Sequence, residues 1–208
     1  MSGCPYGHVR GGGTAVVGRA PAERLPRTDA RRNRERLLVV AREAFDEAGP
    51  DASLVEIARR AGVGQGTLYR HFPTRAALLS AVLADRIETL CRQAAELSAA
   101  LSADEALAAW LHLFLVHARV NQGLAGAFMT EGPETAAVDC HQTITAAAAD
   151  LLGRAQRTGT ARPDLSPDDL IQIVVGIALA TARDGDAGQA DRLLTLVLDA
   201  VHRTGPVA

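Results

Sequence analysis

Lysine is missing altogether: all 22 basic side chains among the 208 residues are arginine. With so much alanine alongside, this reads as coding bias first and as phosphate-binding chemistry second. Aromatic residues make up only 3% of the chain, so its core must come from Ala, Leu, Val and Ile. That palette, short of β-branched runs, favours packed helices. The three cysteines, Cys4, Cys91 and Cys140, form an odd and widely spaced set with no CxxC pair. They exclude a disulfide framework and fit a reducing cytoplasm. No run of about 18 uncharged apolar residues exists to span a membrane. Residues 1–27, rich in Gly, Pro and Arg, lack the apolar run of a signal peptide and read as a disordered tail. No segment alternates with period two, so the fold class is all-α. Neither GxSxG nor HExxH occurs, and no Gly-rich phosphate loop follows a strand, so an enzyme is not expected and no cofactor is implied.

What is present is unevenly charged. The formal net charge of −2 divides into +5 over residues 1–75 and −7 over residues 76–208. A basic front and an acidic back suit a nucleic-acid-binding module joined to something else, although a solvated basic tail gives the same asymmetry.

Helical periodicity begins near Asp29, where Leu37, Leu38, Ala41, Ala44, Phe45 and Ala48 share one face until Gly49-Pro50 stops it. Ser53-Leu54-Val55-Glu56 has the form of a capping box opening a second helix, which ends at Ala61-Gly62-Val63. A third short helix runs from Gly64 to about His71, and Thr74 after Pro73 opens a fourth reaching roughly Glu96. Further helices are expected at about 103–119, 134–157, 167–183 and 189–203, with a short segment around 124–130.

A capped helix, a glycine turn and a second helix of two turns make a helix-turn-helix, which presents its second helix to the major groove. Ile57, Ala58, Ala61, Val63 and Leu68 would seal the pair. Gln65, Thr67, Tyr69, Arg70 and His71 lie on the other side. Gln suits adenine, Arg suits guanine, and Thr suits a thymine methyl or a phosphate. Gly64 and Gly66 would let DNA approach the start of the helix. An ordinary helical hairpin with a glycine turn is the bland alternative, with Arg59 and Arg60 no more than a solvated face.

The ordered run from Ile57 to Arg75, IARRAGVGQGTLYRHFPTR, together with the preceding Phe45-Asp46-Glu47-Ala48-Gly49, closely resembles the signature of TetR-type repressors. The resemblance implies a helix-turn-helix DNA-binding domain of three helices over 28–73, followed by an effector-binding and dimerisation domain over 74–208. It places Gln65, Gly66, Thr67, Tyr69, Arg70 and His71 on the recognition helix and assigns Arg75 to a phosphate. Gly64 and Gln65 stand where many members carry Ser and Lys, which shifts Gln65 toward a base contact. The expected partners are double-stranded DNA as a palindromic operator, a small-molecule effector and a second copy of the chain.

In the back half, Trp110, Leu113, Phe114, His117, Phe128, Met129 and Ile144 are the bulky or soft residues that would line an effector pocket, or else simply fill the core. His112 and His117 lie five apart, so they share a helix face poorly as metal ligands. A redox role for Cys91 or Cys140 competes with plain packing. The wide apolar stripes of the last two helices suit a four-helix dimer interface. A rival of another class is an all-α small-molecule-binding protein or enzyme without DNA function.

Overall fold

A computed structural model describes the backbone of residues 25–122, 134–182 and 187–202. Most of the expected tail lies outside the described residues, as do the segment at 124–130 and, with it, Phe128 and Met129. Among the described residues there are eight α-helices and no strand: α1 (Leu25–Ala48), α2 (Leu54–Arg60), α3 (Gln65–His71), α4 (Arg75–Ala100), α5 (Ala103–Val120), α6 (Glu134–Arg157), α7 (Pro167–Ala180) and α8 (Ala187–His202).

Helix boundaries follow local chemistry. α1 starts at Leu25, before the expected Asp29, since nothing in Leu25-Pro26-Arg27-Thr28 breaks a helix once Pro26 occupies its first turn. α4 runs past the expected Glu96 to Ala100 because the alanine-rich stretch contains no breaker. Its carbonyl end is satisfied from another helix: Arg154 on α6 donates to the carbonyls of Ser98 (2.6 Å) and Leu101 (2.9 Å). Ser166 caps α7, accepting from the Asp169 amide while the Asp169 carboxylate accepts from Ser166 N–H. α7 stops at Ala180, short of the expected 183, where the buried Thr181 turns its hydroxyl back to the carbonyl of Ile177.

The capping box expected at Ser53 is only half made. Ser53 Oγ accepts from the Glu56 amide, but the Glu56 carboxylate accepts from Nη2 and Nε of Arg59 at 2.7 and 2.8 Å and does not reach back to Ser53. A charged, bidentate partner one turn away outcompetes a neutral N–H.

Apolar side chains collect into two separate cores. The front core joins Leu37, Leu38, Phe45, Ile57, Leu68 and Phe72 to Leu78, Leu79, Val82 and Leu83 of α4. The rear core gathers Leu90 of the same helix with Leu107, Trp110, Leu111, Leu151, Leu170 and Leu194. The first turns of α4 close the front core. α4 passes through both, and between Leu83 and Leu90 the core changes hands.

Candidate nucleic-acid interface

The turn between α2 and α3 is fixed by the backbone. Gly62 has φ +67°, a left-handed conformation that other residues adopt at a cost of roughly 1 kcal/mol or more. Its amide bonds back to Arg59 O (3.1 Å) and that of Val63 to Ala58 O (3.0 Å), which closes α2 as a Schellman cap. The chain reverses within three residues, and Gly64 in extended conformation caps α3. Ile57, Ala58, Ala61 and Leu68 are buried at the crossing, and Val63 packs partly buried against them. Phe72 is buried as well, with the Arg34 guanidinium 5.3 Å above its ring.

With Leu68 and Phe72 turned inward, α3 shows solvent its other side. Gln65, Gly66 and Arg70 are exposed, Tyr69 is 47% exposed, and Thr67 and His71 are half-buried. Among the described residues, the side chains of Gln65, Thr67, Tyr69 and Arg70 have no hydrogen-bond or ion-pair partner. The His71 ring leans on Phe72 at 6.4 Å between centroids. A side chain added at Gly64 or Gly66 would meet nothing within 4 Å, and neither has a positive φ. Among the described residues, neither packing nor backbone geometry therefore calls for glycine at these two positions.

The neighbouring arginines behave differently. Arg59 is paired to Glu56, and Arg60 reaches across to Glu47 (2.8 Å) and Glu43 (3.1 Å) of α1, which makes it more than a solvated face. Arg75 also turns toward the protein. Its Nη1 donates to the carbonyls of Pro50 (2.8 Å) and Ala52 (2.7 Å), tying the start of α4 to the α1–α2 connection. Those carbonyls face the first turn of α4, and a half-buried guanidinium satisfies both. The phosphate contact implied for Arg75 thus competes with a structural bond.

Of the residues expected around an effector, Trp110 and Phe114 are buried and stacked, 5.6 Å apart and 10° from parallel. Trp110 Nε1 donates to Leu90 O at 3.1 Å, so the indole is satisfied within the core. Ile144 is half-buried against that core. Leu113 and His117 alone of the set line a described cleft, about 460 Å³ in volume, bounded by α1, α4 and α5. The His117 ring continues the stack at 6.4 Å from Phe114. Burial first, and the nearby Arg86 cation second, lower the His117 pKa to about 4. A larger groove of about 800 Å³ lies between α4 and α6, lined by Cys91, Ser98, Gln142, Asp150 and several alanines. Burial pushes the Cys91 thiol up, away from the thiolate form a redox sensor needs. Among the described residues no three His, Cys, Asp or Glu side chains converge as metal ligands, and no helix is long and apolar enough to cross a membrane.

Sequence reasoning missed Arg86 and Asn121. Arg86 has a side chain only 10% exposed and bonds to both Asp46 of α1 and Asn121 at the end of α5. The signal was available, because Arg86 falls on the buried stripe Leu79-Val82-Leu83-Ile87-Leu90, where a charge requires a partner.

Comparison with known proteins covers both halves. The family model for bacterial regulatory proteins of the tetR family matches residues 37–82, and that for the C-terminal domain of SbtR-like transcriptional regulators matches residues 102–203. The HTH-type transcriptional regulator UidR of Escherichia coli strain K12 is 30% identical over 168 residues, 77% of this chain and 85% of UidR. A TetR transcriptional regulator from Streptomyces coelicolor of known structure is 39% identical with a TM-score of 0.71, covering 83% of this chain and 99% of its own. The TetR regulatory protein of Mycobacterium vanbaalenii is 35% identical with a TM-score of 0.68, over 86% and 99% respectively. The chain therefore belongs to the TetR family of DNA-binding transcriptional regulators, and α2 and α3 form its helix-turn-helix.

Proposed function

We propose that this regulator is a cytoplasmic homodimeric repressor that leaves a palindromic operator when a small molecule binds its rear half. The observation that carries the DNA contacts is the outer side of α3: polar side chains without partners among the described residues, around glycines that no contact among those residues requires. In this reading Gln65 and Arg70 read bases, while Thr67, Tyr69 and His71 anchor phosphates. Gly64 and Gly66 let the duplex approach the free amides of the first turn. Arg75 reaches phosphate only through donors other than Nη1.

Dimerisation rests on the outer face of the last two helices. Ile173, Val175 and Leu179 of α7 and Leu196 of α8 are exposed, and Gly176 and Ala180 lie among them, where two copies pack closely. Two recognition helices at fixed separation select two half-sites about one helical turn apart. An effector that favours another separation releases the DNA, to the extent of its differential affinity. The acidic rear half favours a neutral or cationic effector over an anionic one.

The test is a gel shift with DNA flanking the chain's own gene, repeated at rising salt. A specific complex with a steep salt slope is expected, and Tyr69→Ala with His71→Ala should abolish it while the protein stays dimeric. A double variant that binds as the parent does would remove α3 as the reading element. Absence of any specific complex would favour an all-α small-molecule-binding protein without DNA function.

A further inference from the structure

Between the two apolar cores lies a seam held by polar groups, and a single guanidinium spans it. On one side, Arg86 Nη2 donates to Asp46 Oδ1 (2.7 Å) and to the carbonyl of Arg42 (3.3 Å), both on α1. On the other, Arg86 Nη1 donates to Oδ1 of Asn121, the residue that ends α5. A reciprocal ion pair lies alongside, with Arg42 of α1 on Asp85 of α4 at 3.0 Å.

The chemistry of these groups fixes the rest of the chain of bonds. Arginine only donates, so the oxygen of the Asn121 amide must face it and the NH2 must face away. That NH2 lies 2.7 Å from His117 O and 3.2 Å from His117 Nδ1. His117 Nδ1 is therefore the acceptor and the ring is neutral, its proton on Nε2. From His117 the stack continues through Phe114 to Trp110 in the rear core. A continuous series of oriented contacts thus runs from α1, which packs against the helix-turn-helix, to the centre of the effector half.

We infer that Arg86 is a positioning residue for operator binding: with Asn121 it forms a latch that sets the DNA-reading module's orientation against α5. This rests on the repressor reading above. The physical basis is that an apolar seam tolerates sliding, whereas a buried guanidinium does not. Asn121 is 5% exposed and the Arg86 side chain 10%. Displacing the end of α5 beyond hydrogen-bond reach leaves a nearly buried cation with one of its three hydrogen bonds broken and nothing to replace it on that side, so the seam has a made state and a broken state with little between. The cleft bounded by Arg42, Asp46, Arg86, Leu113, His117 and Asn121 opens directly onto this latch.

The test uses the full-length protein as wild type, Asn121→Ala, Arg86→Lys and the double variant. Asn121 has no bond to α1 of its own, so hydrogen exchange in peptides spanning Arg42–Ala48 reads the latch alone. Asn121→Ala should speed that exchange several-fold, and Arg86→Lys, whose ammonium cannot span both sides, should do the same. The double variant should be no worse than either single one. Affinity for DNA flanking its own gene should fall about tenfold in each, within the range of measured coupling energies, with the dimer intact. An Asn121 that merely caps α5 would lower the melting temperature and confine faster exchange to α5, and that result overturns the latch. Independent, additive effects of the two substitutions overturn it equally. If Arg86→Lys fails to fold, Asn121→Ala and Asp46→Asn form the same cycle. Wild type that binds no flanking DNA sinks the repressor reading instead, while the exchange data still decide the latch.

Discussion

Helices α2 and α3 are each seven residues long, are joined by one turn, and bury the same front core, yet their polar groups behave oppositely. On α2, Glu56, Arg59 and Arg60 are all engaged, two with each other and one with Glu43 and Glu47 of α1. On α3, Gln65, Thr67, Tyr69 and Arg70 engage nothing among the described residues. A helix that holds the fold together spends its charges internally, and one that meets a partner keeps them available. Composition does not separate the two, since both present arginines to solvent. Partnering does, and substitutions on each face should separate them further.

The largest effect is expected from the inner side of α3. Leu68 is fully buried, and Leu68→Ala should cost about 3 kcal/mol by lost burial and the cavity left behind, measured by denaturant unfolding. Operator binding should vanish with the fold. His117 belongs to the engaged class as well, and its contribution depends on pH. Its folded pKa of about 4 lies below the unfolded value of 6.5, so the unfolded chain binds the extra proton. The His117 contribution is present above pH 6.5 and is lost as pH falls toward 4, up to about 3 kcal/mol in that window. His117→Gln should flatten the stability profile between those limits relative to the parent, and parallel profiles would refute the buried neutral ring. On the outer side of α3 the sign of the contrast changes. Arg70→Ala or Gln65→Ala should weaken operator binding by roughly 10- to 100-fold, the worth of one base contact, and leave the melting temperature within about a degree. A fall in stability of similar size would move either residue into the engaged class.

How far these roles could be read beforehand depended on the range of the interaction. The helix starts at Thr74 and near residue 167, the turn at Gly62 and the burial of Leu68 follow from neighbours within four residues and are legible in the pattern. The half-made box at Ser53 shows the limit even at short range. The motif was present, but Arg59, three residues from Glu56, offered the carboxylate a better donor. Contacts across the fold were not legible. Nothing near Arg75 indicated that the carbonyls of Pro50 and Ala52 would take its guanidinium, nor did anything near Trp110 point to Leu90 O. Bulk and softness suit a core as well as a cavity, so the pattern alone does not separate the two for Trp110 and Phe114, which are buried.

Glycine 66 gives the finest test of the contrast, because the two kinds of role predict opposite signs for one substitution. It lies in the first turn of α3, exposed, with open space where a Cβ would be. Alanine is the better helix former by up to about 1 kcal/mol, so Gly66→Ala should raise the melting temperature slightly if folding alone is at stake. A duplex drawn close to the helix start would meet the new methyl group, so the same variant should bind its operator several-fold more weakly. Arg60→Ala is the control from the other helix: loss of its partly exposed pairs with Glu47 and Glu43 should change stability little and leave operator affinity as it is. Gly66→Ala with higher stability and undiminished affinity would mean that DNA does not come close to the start of α3. The open space at Gly66 would then be ordinary solvent-facing surface, and the contrast between the two helices would begin only at Thr67.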